Sequence, residues 1–173
     1  PKDSVIARMI ADLRSWHASG KDWRATRELL AANYGYDKYG GNCHMVPNHG
    51  LIIHSLLHGD GDFSETLKIV NTCGWDTDCN SGHVGCLMGI LVGVDGIDTS
   101  IGKGIDWRGP VADRLYCPTS DGDRCISDCA REATQIINMG HTLGGAARFA
   151  PKQGAQFHFS FKGSVQGFQV QSG

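Results

Sequence analysis

The 173-residue sequence has no Cys-x-x-Cys pair, no Gly-x-Ser-x-Gly turn and no Gly-rich loop ending in Lys-Ser or Lys-Thr. The first absence removes the zinc-ribbon and thioredoxin readings. The second removes the common serine-nucleophile elbow, and the third removes a P-loop. Charge of one sign is also scarce. The net charge is −2 with 20 % charged residues, so no basic field points to a specific nucleic acid or an anionic membrane. The longest apolar run, Val84 to Val94, is short and glycine-rich against the ~20 residues of a transmembrane helix. No leader-like stretch precedes the first helical pattern.

What is present is ordinary for a soluble domain: 40 % hydrophobic residues and enough chain for a real core. Seven cysteines is an odd number, so they cannot all pair within the chain. That points to a reduced, cytoplasmic setting, with Cys117 still able to pair with Cys125 or Cys129.

The apolar spacing predicts six helices. Asp3 or Ser4 caps the first, which carries Ile6, Met9, Ile10 and Leu13. Asp22 caps the second, and Met45 to Leu57 is a third with Pro47 in its first turn. Phe63 to Val70 and Cys79 to Val94 follow, and Ser127 or Asp128 caps the last, which ends at Gly140. No strand is expected before residue 145. Beyond it Phe157, Phe159 and Phe161 alternate with polar residues, which is strand period and reads as a β-hairpin or the start of a β-domain. The expected organisation is therefore an all-α domain over 1–145 and a short β segment over 146–173.

Gly74-Trp75-Asp76-Thr77-Asp78-Cys79-Asn80 carries the chemistry. Two aspartates at i and i+2, on a turn entering a helix, can aim both carboxylates at one point. Hard oxygen donors so placed suit magnesium, calcium or manganese. The competing reading is a plain helix N-cap, for which Asp is a preferred residue. Gly82, Gly85, Cys86, Gly89 and Gly93 then form one stripe of small residues along the next helix. Each glycine costs a helix interior about 1 kcal/mol against alanine, so the stripe predicts close approach of a neighbouring helix at Gly85 and Gly89.

The Gly-x-Asp-Thr-Asp-Cys-Asn string followed by Gly85, Gly89 and Gly93 resembles the second metal motif of the ADP-ribosylglycohydrolase family. Pro47 to Val70, with Gly59-Asp60-Gly61-Asp62-Phe63, resembles the two helices before that motif, and Gly104 to Trp107 the segment after it. The resemblance spans roughly residues 40 to 140. It implies part of an all-helical orthogonal bundle and a magnesium-dependent hydrolase of an ADP-ribosyl glycosidic bond. Two Mg2+ ions, or Mn2+, would sit in the complete site, and an ADP-ribosylated protein or a small ADP-ribose glycoside would be the substrate. Asp76 and Asp78 match metal-binding aspartates. Cys79 stands where many members have a ligating Thr, and a thiol is a poor magnesium ligand. The same fold also serves non-catalytic, crystallin-like proteins and admits hydrolases of other sugar glycosides.

The family's first motif, a Thr-Asp-Asp-type cluster, has no counterpart in this sequence. The resemblance therefore implies that a missing N-terminal segment, or a second chain, completes the site. That segment would bring the carboxylate that acts as general acid or base, and this chain alone would be catalytically silent. An apolar helical face or open half-pocket beside Asp76 is expected where it would pack. Trp75 and Thr77, inside the motif, and His44 and Asn48, at a helix start, are candidate substrate-binding residues. His54 and His58 lie at i and i+4, a spacing zinc uses, but no neighbouring Cys or acid completes a tetrahedral set.

Overall fold

The computed structural model describes residues 3–116 and 127–149. The chain divides into two compact units at Ile105/Asp106. The first contains α1 (Val5–Ala18), α2 (Trp23–Tyr34), α3 (Met45–His58), α4 (Phe63–Thr72) and α5 (Thr77–Asp98), then a short 3-10 helix at Thr99–Lys103. Each start is chemically marked. Ser4 accepts from the Ala7 N–H, Asp22 from Ala25 and Asp62 from Glu65, satisfying donors that the helix leaves unpaired. His44 does the same for α3, its Nδ1 accepting from the Val46 N–H at 3.2 Å.

Helix α3 is the middle of this unit and packs against α1, α2, α4 and α5. Met9, Leu13, Leu30, Leu51 and Ile69 form the core with Tyr34, Val46 and Cys73. Two glycines permit the packing. A Cβ at Gly50 would lie 2.7 Å from a Leu30 methyl, and one at Gly59 would lie 1.9 Å from Thr66 Oγ1. Both are approaches between helices, whereas the tight contacts of Gly35 and Gly96 are with residues near them in sequence. The expected one along α5 is not there. A Cβ on Gly85 would meet only a Leu67 methyl, at 3.9 Å, and one on Gly89 only Ile97, also at 3.9 Å, while Gly82 and Gly93 face open space. Val84 and Met88, with Asn80, make the inward face of α5 instead.

The outer face of α5 is apolar and open: Ile90 and Leu91 are 79 % and 69 % exposed, with Leu87 and Val94 beside them. An apolar helical face was expected beside Asp76, whereas this one lies about three to five turns along the helix that Asp76 begins. By length and composition Thr77–Lys103 could also cross a membrane, where the run Val84 to Val94 had been read as too short. The helix breaks, however, at Gly93, whose φ is +67°. The unbroken part is roughly 16 residues or about 24 Å, less than the ~30 Å of a hydrocarbon core.

Three histidines stack where α1 meets α3. The His17 and His58 rings are 4.7 Å apart edge to face, and His54 and His58 are also 4.7 Å apart. His54 is fully buried, and neither of its nitrogens has a hydrogen-bond partner. Burial, with smaller contributions from His58, Arg27 and His17, pushes its pKa down to about 3. Burial also lowers His58, with His17 lowering and Asp22 raising it. The unfolded chain therefore binds more protons than the native one between the ordinary histidine range and pH 3. Stability should be flat above about pH 6.5 and fall on acidification by up to ~1.4 kcal/mol per pH unit from His54, with His58 acting in the same direction. Urea melts from pH 7.5 to 5 check this. His54→Leu should flatten the profile, and an unchanged slope in that variant would place the acid sensitivity elsewhere.

The second unit holds a 3-10 turn at Gly109–Val111, β1 (Arg114–Leu115), β2 (Ser127–Asp128) and α6 (Cys129–Leu143). The strands are antiparallel, with Arg114 opposite Asp128 and Leu115 opposite Ser127. This two-residue pair departs from the expectation of no strand before residue 145. Arg108 grips Asp113 with two hydrogen bonds of 2.9 and 2.7 Å, fixing the turn that aligns β1. Asp128 caps α6, as expected, and the helix continues past Gly140 to Leu143 because Gly144 terminates it. Cys129 is a free thiol, whereas Cys117, Cys125 and the hairpin expected around Phe157 to Val170 lie outside the described residues.

Candidate metal centre

The α4–α5 connection is built from residues that accept unusual backbone angles. Gly74 has φ +77° and Trp75 has φ +62°. The second is costly for a residue with a Cβ, and such strain persists only where the surroundings impose it. They do so here. Arg27 on α2 donates through Nε to the Cys73 carbonyl at 3.0 Å and lays its guanidinium 4.0 Å over the Trp75 ring. Tyr36 packs on Trp75 with ring centroids 5.1 Å apart.

Asp76 follows this clamped turn and holds the N-cap position of α5, yet its side chain makes no capping bond. The N-cap reading is thus incomplete, because the carboxylate points to other partners. Asp76, Asp78 and Cys79 bring one donor atom each within 4.8 Å of one another, the one such group of three among the described residues. A hydrogen bond shared with Asp76 holds the Asp78 carboxyl below the ordinary range, helped by backbone N–H groups at the helix start. Cys79 hydrogen-bonds to Asp76 as well, and this bond, with the carboxylate's charge, raises its thiol pKa. The charge of Asp76 likewise raises Cys43.

Asn48 is the hinge pin of the arrangement. It is buried on α3, and its Oδ1 accepts from the Asp76 N–H at 3.3 Å and from Asn80 Nδ2 at 2.9 Å. Its Nδ2 donates to the Tyr36 hydroxyl at 2.8 Å and to the His44 carbonyl at 3.0 Å. The amide is committed on both sides, so Asn48 positions the turn. His44 is also committed, as cap of α3 and as a ring neighbour of Tyr39 at 5.4 Å. Thr77, half-buried, opens α5 with its N–H bonded to the Trp75 carbonyl. The structure thus gathers Trp75, Asp76, Thr77, Asp78 and Cys79 at one helix start, with Asn48 and His44 behind it.

Arg27, Tyr36 and Cys43 belong to this site, and sequence reasoning passed over them. Arg27 looks like any helix-surface arginine until the turn is seen above it. Tyr36 lies in a stretch noted only for its glycines and tyrosines. For Cys43 no sequence signal exists, because its proximity to Asp76 is purely tertiary.

The ADP-ribosylglycohydrolase family model matches residues 1–137, while no curated protein and no solved structure matches the chain. The chain belongs to the ADP-ribosylglycohydrolase family, a family of hydrolases with an all-α fold.

The donor chemistry fits a hard divalent cation in part. Two adjacent carboxylates, one uncommitted to its helix and sharing a hydrogen bond with the other, are what such a cation would separate and bridge. The thiol of Cys79 adds little for magnesium.

Proposed function

We propose that the chain forms the Asp76–Asp78 half of the active site of a magnesium-dependent hydrolase that cleaves an ADP-ribosyl glycosidic bond. The observation that carries this is the clamped turn, which spends backbone strain at Trp75 and the buried amide of Asn48 to fix two carboxylates. Asp76 and Asp78 would hold a cation, and Cys79 would pack beside them. When bound, such an ion supplies Lewis-acid anchoring for hydroxyls and for a water.

Within this reading the chain's own groups have separate tasks. Asp76 and Asp78 present charge at a fixed point. Arg27 and Tyr36 hold Trp75, whose indole forms the wall next to that point. Thr77 lies between the carboxylates, where its side chain can face a bound sugar. Bond cleavage at an anomeric carbon needs a carboxyl that transfers a proton, and we assign that group to a segment outside the described residues or to a second chain.

The test is release of ADP-ribose by the full-length protein from ADP-ribosylated protein and from small ADP-ribose glycosides, with and without magnesium. Simple sugar glycosides form a parallel arm. Magnesium-dependent release of ADP-ribose is the expected result. Turnover of sugar glycosides alone would move the protein to another substrate class. Ligand binding without turnover would make it a non-catalytic member of the fold.

A further inference from the structure

We propose that His17, His54 and His58 form a binding site for a zinc-class cation, separate from the carboxylate pair at the start of α5. Sequence spacing offered His54 and His58 as i, i+4 neighbours on one face of α3, without a third ligand. The fold supplies it. The end of α1 brings His17 to His58, so three imidazoles stand in a row with successive centroids 4.7 Å apart. The row runs inward from an exposed His17 through a half-buried His58 to a fully buried His54.

The second observation is the unmet bonding capacity of the inner two rings. Both nitrogens of His54 and Nε2 of His58 are buried without a hydrogen-bond partner. A buried polar atom in that state is destabilising, and few native groups are left so. Nothing in the apolar packing of α1 on α3 requires imidazole at these places. A leucine at 54 would avoid the cost. Coordination by a cation removes it, because imidazole nitrogen is a preferred ligand of zinc.

The charges around the row also suit a cation that brings its own positive charge. Asp22, at the N-cap of α2, acts on His58 in the favourable direction, and Arg27, also on α2, acts on His54 in the opposing one. Arg27 is drawn away by its bond to the Cys73 carbonyl and its stacking on Trp75. Histidines must be neutral to ligate, and burial keeps the inner pair so at pH 7. His17 and His58 meet edge to face and His54 is tilted by 53° to His58, and their donor atoms are not within 4.8 Å of one another as those of Asp76, Asp78 and Cys79 are. Binding therefore turns the rings about their side-chain torsions. A three-imidazole set with a carboxylate or water in fourth place is a zinc geometry, and magnesium disfavours it.

The experiment uses the full-length protein stripped with chelator, in a background carrying Asp76→Asn and Cys79→Ser so that the other donors are silent. Zinc is titrated by calorimetry, and cobalt is used as the spectroscopic probe. One equivalent of zinc should bind and raise the Tm, as any ligand selective for the native state does. His17→Ala, at an exposed position, and His58→Gln should each weaken binding by more than the ~10–100-fold that follows loss of an outer-shell partner. The cobalt spectrum should show tetrahedral nitrogen ligation without a thiolate charge-transfer band. Absence of zinc binding, an affinity unchanged from the parent in either histidine variant, or a thiolate band would each overturn the proposal.

Discussion

Asp76→Asn is expected to lower magnesium-dependent turnover of the full-length enzyme by more than about 100-fold, beyond what loss of an outer-shell partner costs a metal site. It should leave the unfolding free energy within about 0.5 kcal/mol of the parent, as for a surface substitution. The two effects separate because the Asp76 side chain makes no cap to α5. What holds the turn is its backbone N–H on Asn48, which Asn at 76 retains. Asp78, exposed on the first turn of α5, should behave alike as Asp78→Asn. Cys79→Ser tests the thiol. If Cys79 only packs and hydrogen-bonds to Asp76, as its raised pKa indicates, then Ser preserves activity, and its harder oxygen can tighten magnesium binding. Full magnesium-dependent turnover in Asp76→Asn would sink the assignment of the site.

The helices were legible because their signals are local. Ser4, Asp22 and Asp128 stand one residue ahead of an apolar stripe and cap as expected, and Asp62, which the sequence showed only as part of a break, caps α4 in the same way. The Gly74–Asn80 string was legible for the same reason, being a turn and a helix start within seven residues. The glycine stripe of α5 misled because composition reports that a surface is small, and says nothing of what faces it. Val84 and Met88, on a neighbouring arc of the same helix, carry the contact with the rest of the unit. Gly50 and Gly59, which do meet neighbours closely, sit in stretches where a single glycine has no pattern. The supports of the metal turn were illegible on the same ground. Arg27 reaches Cys73 across 46 positions of sequence, and Asn48 reaches Asn80 across 32. His17 joins His54 and His58 only through the packing of α1 on α3.

Asn48→Ala should then be the most damaging single change to stability in this region, with a loss of about 2–4 kcal/mol. Asn48 is buried and makes four hydrogen bonds, two through each end of its amide. Truncation leaves Asn80, which is 1 % exposed, without its acceptor, and frees the N–H of Asp76 and the hydroxyl of Tyr36 from this partner. Unsatisfied buried groups cost ~1–3 kcal/mol each. Tyr36 is the least affected, since its hydroxyl still donates to the Asn42 carbonyl. For a chain of this size the loss corresponds to a fall in Tm of roughly 5–15 °C. Tyr36→Phe removes one of the four bonds, together with the exposed bond to the Asn42 carbonyl, and provides the comparison, with about 1 kcal/mol expected. The functional consequence differs from that of Asp76→Asn. Both carboxylates survive in Asn48→Ala, so magnesium binds more weakly but excess ion should restore part of the turnover, whereas no excess should rescue Asp76→Asn. Thermal melts and magnesium titrations of the three variants check this. A Tm for Asn48→Ala equal to that of Tyr36→Phe would show that Asn80 and the Asp76 turn do not depend on the amide.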